Sequence, residues 1–310
     1  MKRSIVKVSM LLVLMTGGVS LALERIPGTR IALDPPEGFE PSTRFLGYAH
    51  GVSSSSIMAS ELPVAFTKMV DGFTKEALAT RGMTLIDRHD TQIGDRPAAL
   101  YHVSQEASGT LFYKWLLLFG DEQVTEMVTA VFPQRSAEQW SEPLKQTLLN
   151  IQWQKDAKPD AFEGLGYRIQ EQGDLKIASK IGTTLLLTRN GVIPREPNDD
   201  PYLTIAPSFT QNWQIPDDIR AYTKARLFLM GNLCSDPQIT REERVRHDGL
   251  PGYQLEAVCA DPRSGEALAL WHTMIFSDEG YYLFLAVARD TDKAAYAAIF
   301  QSVIDSFERI

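Results

Sequence analysis

"SGEALALWHTMIFSDEG", residues Ser264–Gly280, is apolar at nearly every position rather than at every second one. Leu268, Leu270, Met274 and Phe276 fall on one parity, and Ala267, Ala269, Trp271 and Ile275 on the other. Side chains alternate across a strand, so a strand apolar on both parities is covered on both faces. The stretch is echoed upstream by "SGTLFYKWLLLFGDEQ", Ser108–Gln123, with Leu111, Tyr113, Trp115, Leu117 and Phe119 on one parity and Phe112, Leu116 and Leu118 on the other. The two align without a gap at a constant offset of 156 residues, Gly109 with Gly265 and Trp115 with Trp271.

The same offset carries Ala130-Val131 onto Ala286-Val287, and then Trp140, Leu144, Leu148 and Ile151 onto Tyr296, Phe300, Ile304 and Phe307. Those last sets recur at helical spacing. Strand, turn, strand and amphipathic helix in one register predict two copies of one domain. Copy one reads as strands at Arg30–Leu33, Phe45–Gly51 and Ser55–Leu62, and a helix from Pro63 to Arg81 stopped by Gly82. Strands at Met83–Gln92, Ala98–Gln105, Gly109–Phe119 and Gln123–Phe132 follow, then a helix started by a capping box of Ser136 and Gln139. Copy two reads as strands at Leu175–Lys180, Thr183–Thr188 and Tyr202–Ser208, and a helix from Pro216 to Leu233. Strands at Gln238–His247, Gly252–Ala260, Gly265–Ser277 and Tyr281–Ala288 lead to a helix capped by Asp290 or Thr291. The fold class expected is α+β: two tandem α/β/α sandwiches, each a mainly antiparallel sheet of about six strands flanked by helices. The alternative cover for the second apolar face is the other copy.

The first residues and the cysteines set the compartment. Lys2, Arg3 and Lys7 precede the apolar run from Val8, and Ser20-Leu21-Ala22 places small residues where a signal peptidase reads them. Residues 1–22 are expected to be a signal peptide cleaved near Ala22, leaving domain 1 at 23–154, a linker at 155–161 and domain 2 at 162–310. No later stretch is apolar enough to span a bilayer, so an exported protein, periplasmic or secreted and not an integral membrane protein, is expected. Cys234 and Cys259 would then sit in an oxidising compartment, where a disulfide between them is expected rather than two buried thiols. The 310 residues carry a formal net charge of −8. Phosphate backbones repel such a chain, which argues against nucleic acid as a partner.

Strong catalytic signatures are absent: the chain holds no H-E-x-x-H, G-x-S-x-G, P-loop, EF-hand loop or C-x-x-C. Gly51-Val52 and the four serines after it read as a loop. Of His50, His89, His102, His247 and His272, no two sit at metal-ligand spacing on one element. Arg88-His89-Asp90 and Arg246-His247-Asp248 form a repeated triplet, each expected just before a turn. His89 with Asp90 and His247 with Asp248 are candidates for a functional surface as imidazole–carboxylate pairs, weighed against plain solvated strand ends. His272, in an apolar strand, reads as a hydrogen-bonded core histidine. Trp213, with Phe209, is a candidate partner-binding spot or a staple against the next helix. Asn198-Asp199-Asp200 reads as a turn rather than a calcium loop. No catalytic set, metal or cofactor is expected.

The order of a leading strand, the turn "LDPPEGFE" (Leu33–Glu40), a short strand, a helix, four antiparallel strands and a closing helix resembles the PsbP-like family. That sandwich is shared with a nuclear-import factor that binds the GTPase Ran and with several bacterial envelope proteins. The resemblance covers about residues 25–154 and again 162–310. It implies a binding or scaffolding role, because the family has no common catalytic residues to carry over. An envelope protein is the partner expected. The alternatives are a periplasmic carrier with a deep apolar cavity between the domains, and a hydrolase whose site forms only in three dimensions.

Overall fold

The structure, a computed structural model, describes residues 23–193, 200–209 and 213–310. The expected leader and its cleavage site lie outside the described residues, as do Asn198 and Asp199 and the side chain of Phe209.

The first half holds β1 (Glu40–Pro41), β2 (Gly47–His50), β3 (Ser55–Leu62), α1 (Phe66–Gly72), α2 (Lys75–Ala79), β4 (Met83–Ile93), β5 (Arg96–Ala107), β6 (Thr110–Gly120), β7 (Thr125–Pro133) and α3 (Ala137–Leu149). The second holds β8 (Leu175–Ile181), β9 (Thr184–Arg189), β10 (Tyr202–Phe209), α4 (Ile219–Phe228), β11 (Ser235–His247), β12 (Leu250–Ala260), β13 (Ala267–Ser277), β14 (Gly280–Arg289) and α5 (Lys293–Asp305). Each half builds one seven-stranded antiparallel sheet. The orders are β1-β2-β3-β7-β6-β5-β4 and β8-β9-β10-β14-β13-β12-β11, the same path traced twice. Pairing repeats the offset too: Trp115 lies opposite Ala130, and Trp271 opposite Ala286. The sheets hold seven strands rather than about six, because the turn after Pro36 returns as β1 and the strand from Leu175 pairs as an edge.

Helices cover both faces of both sheets. On the odd parity of β6, Trp115, Leu117 and Phe119 pack with Trp140, Leu144 and Leu148 of α3. On the even parity, Leu116 and Leu118 meet Phe73 and Leu78 beside α1 and α2. In the second half Trp271 and Ile275 face Tyr296, Phe300 and Ile304 of α5, and Leu268, Leu270, Met274 and Phe276 face Ile219 and Leu227 of α4. Every residue of β13 after Ala267 is buried. The other copy is therefore not the cover of the second face.

The helix ends differ from expectation. The span from Pro63 to Arg81 is two short helices, because Phe73 leaves helical geometry at φ −92°, ψ 52° and Thr74 caps a new start, its hydroxyl accepting from the Ala77 N–H at 3.1 Å. α4 starts at Ile219, where Asp218 accepts from the Ala221 N–H at 3.0 Å. Ser136 makes no capping-box bond, since a 3₁₀ turn at Gln134–Ser136 precedes α3 and alters the geometry. The matching turn Asp290–Asp292 precedes α5, and neither Asp290 nor Thr291 is its N-cap. Cys234 and Cys259 form a disulfide with Cα atoms 5.6 Å apart, tying the segment between α4 and β11 to β12. Among the described residues, no helix is long and apolar enough to cross a membrane.

Candidate functional site

The halves meet backbone to backbone near Gly28 and Gly164. A side chain on Gly28 would lie 2.0 Å from the Glu163 carbonyl, and one on Gly164 2.8 Å from that of Pro27. Both glycines also have positive φ, so no other residue fits the contact. Arg25 clamps it with a two-pronged ion pair to Glu163, at 2.7 and 3.2 Å. That pair holds the Glu163 carboxyl below its usual range.

Beside this contact opens a cleft of about 370 Å3. Arg30, Glu61 and Leu46 form one wall, and Ser179 and Lys180 of edge strand β8 form the other. The expected linker, through Ala157, Pro159 and Asp160, closes the side. Lys180 reaches the Glu163 carbonyl at 3.3 Å, and burial pushes its ammonium below the usual lysine range.

Beneath the first wall lies a buried acid. Glu126 of β7 is 1% exposed and stands directly opposite Glu61 of β3 in register. Arg30 Nη2 sits 2.6 Å from Glu61 and 3.3 Å from Glu126. Trp153 Nε1 donates to Glu126 at 3.0 Å, and the Arg30 guanidinium lies over the Trp153 ring at 5.4 Å. Burial pushes the Glu126 carboxyl far up, the neighbouring Glu61 charge pushes it further, and Arg30 only partly offsets both. The cluster therefore holds one carboxyl in its protonated form, able to donate as well as accept a hydrogen bond. A strongly perturbed acid under a cleft is a mark of functional sites. Sequence reasoning missed it, because Arg30, Glu61 and Glu126 are far apart in the chain and no motif joins them.

The residues singled out from sequence do not converge. Arg88-His89-Asp90 lies within β4, which runs on to Ile93, so it does not precede the turn. His89 Nε2 sits 2.8 Å from Asp87, not Asp90, while Asp90 pairs with Arg88 at 2.9 Å, all on an exposed edge strand. His247 ends β11 and is buried, 3.7 Å from Asp305, with Asp248 held by Arg309. The two triplets thus occupy different places: His247 lies opposite Leu250, and the matching position opposite Arg96 is Ile93. Trp213 donates to the Ser277 carbonyl at 3.0 Å and packs edge-on to Tyr222 of α4. Asp200 pairs with Arg189 at 3.1 Å. His272 is fully buried, and its ring nitrogens meet no hydrogen-bond partner among the described residues, against the expectation. Burial drops it to about 4, so it is neutral.

No protein-family model and no curated protein matches the sequence. Among solved structures, the chain is similar to LpqN, involved in cell envelope biogenesis of Mycobacterium tuberculosis, at 14% identity and TM-score 0.35, covering 46% of this chain and 81% of that one. It is similar to cyanobacterial PsbP of Synechocystis at 10% identity and TM-score 0.31, covering 49% and 84%. It is also similar to the T6SS immunity protein TplEi of Pseudomonas aeruginosa at 11% identity and TM-score 0.34, covering 92% and 96%.

Proposed function

We propose that the protein is an exported binding protein of the bacterial cell envelope, built from two PsbP-like sandwiches, and that a protein partner is held in the cleft between them. One observation carries this reading: the acid cluster is not something the fold needs. At the equivalent place in the second sheet Tyr282 replaces Glu126 and lies opposite Pro207. It packs on Phe307 and Tyr167 at centroid distances of 4.8 and 5.7 Å. A buried acid cluster of this kind adds little or nothing to stability over such apolar packing. Its place is at the wall of a cleft that both halves build. The disulfide between Cys234 and Cys259 suits an oxidising compartment. With Arg30, Glu61, Asp160 and Lys180 lining it, the cleft suits a polar segment and not a wholly apolar ligand.

A photo-crosslinking residue at Ser179, used in cells, tests the reading. The expected outcome is one captured partner, lost when Glu61→Lys or Lys180→Glu reverses a charge in the cleft, and absent when the probe sits at exposed Glu106. Capture that is indifferent to both reversals, or equal at Glu106, overturns it.

A further inference from the structure

Each wall of the cleft presents a strand edge that no other strand covers. β8 is the outermost strand of its sheet, so one row of its N–H and C=O groups faces away from β9. On the opposite wall β2 starts at Gly47, which pairs with Met58, and the Leu46 carbonyl takes the Ala59 N–H at 2.9 Å. Beyond that point Ser60–Leu62 of β3 keep β7 on one side and have no strand on the other.

Alternation along each strand fixes which groups face the cleft. The Ala59 N–H points away from β7, so the Glu61 N–H, two residues on, points the same way. The Ile177 N–H points away from β9, because it donates to the Glu171 carboxylate at 2.7 Å. The ladder then skips Ala178, pairing Ile177 with Leu187, Ser179 with Leu186 and Lys180 with Leu185. That bulge passes the outward place to Lys180. Glu171 thus closes the β8 edge at one end. At the other end Gly182 approaches β3, where an added Cβ would lie 3.8 Å from Ser60 Oγ. Between these stops, Ala178–Lys180 line the cleft. A lysine commonly guards such an edge, but the Lys180 ammonium is turned to the Glu163 carbonyl.

We propose, building on the reading of this cleft as the seat of a protein partner, that the partner enters as a short extended segment. Its backbone pairs with β8 at Lys180 and turns its other side to Glu61. Successive residues of an extended chain present their N–H and C=O groups to opposite sides, so two neighbours answer the two walls. The bulge and the stops at Glu171 and Gly182 keep the paired stretch short.

Lys180→Pro removes the outward N–H, and Lys180→Ala removes the charge while keeping that N–H. Both are made in the chain carrying the photo-crosslinking residue at Ser179. The two variants should melt alike, since proline is tolerated where an edge N–H faces outward. Capture should fall about tenfold or more in Lys180→Pro relative to Lys180→Ala, as loss of one hydrogen bond and the added ring imply. In the parent, the Lys180 and Glu61 amides should exchange at least about tenfold more slowly in the captured complex than in the free protein. Equal capture by the two variants, or unchanged exchange at both amides, overturns the pairing while charge-sensitive capture leaves the binding reading in place. A Lys180→Pro chain that melts well below Lys180→Ala places that N–H inside the ladder and overturns it as well. Absence of charge-sensitive capture overturns both.

Discussion

The two halves share strand order, register and the tryptophan at the centre of the sheet, yet treat one position in opposite ways. In the first, Glu126 and Glu61 face each other under Arg30 and Trp153. In the second, Tyr282 and Pro207 occupy those places, and Arg309 stands in the position of Trp153 and turns outward to Asp248. The same strand framework accommodates acids in one copy and rings in the other. The first half buries an acid where the second packs aromatic rings, and the second adds a disulfide.

The widest test of the comparison is the shared tryptophan. Trp271 is 3% exposed in a strand buried throughout, and Trp271→Ala should cost about 3–5 kcal/mol, read by urea unfolding. Trp115 stacks on His102 at 4.1 Å and lies under Lys145, and the start of β6 is only half-buried, so Trp115→Ala should cost less. Equal costs would mean the halves are not differently packed. Next is the staple. Cys234 and Cys259 are separated by 25 residues, and replacing both with alanine should cost about 3 kcal/mol, confined to the second half. Hydrogen exchange that loosens the first half equally would contradict that confinement.

Smaller, and specific to the acid cluster, is a pH effect. The Glu126 carboxyl is raised in the fold, from its ordinary value to about 8. A raised acid stabilises the protein fully below its unfolded value and loses that contribution as pH rises through the folded one. Thermal stability of the parent should therefore fall between about pH 5 and about pH 8.5, and Glu126→Gln should flatten that fall. A slope unchanged by the substitution would remove Glu126 as its source. The least effect belongs to Asp248→Asn, which releases exposed Arg309 and should cost under about 1 kcal/mol by urea unfolding.

How far the chain could be read depends on the range of each interaction. The parity of Ala267–Ser277 announced two covered faces, because strand alternation is a local rule, and α4 and α5 provide the cover. The 156-residue offset was legible because it needs only register. Helix starts were misread at Ser136 and Asp290: a 3₁₀ turn is decided by the exit of the preceding strand rather than by the capping residue. Thr74 was a visible cap inside the span from Pro63 to Arg81, and its Ala77 bond is the signal that would have split that helix. The acid cluster was not legible at all. Its members come from three distant segments, and only the return of the chain at Gln152–Trp153 onto Ile31 and Ala32 brings Arg30 and Trp153 over Glu126. Gly28 and Gly164 were ordinary loop glycines until the second half was laid against the first.

That return pairing also sets a timetable. Residues 31–32 wait for residues 152–153, so the first half can close once the chain has emerged that far. The matching seal of the second half joins Tyr167 to Arg309. As the chain emerges, the first half can therefore close while the second still lacks the strand at Glu308–Arg309.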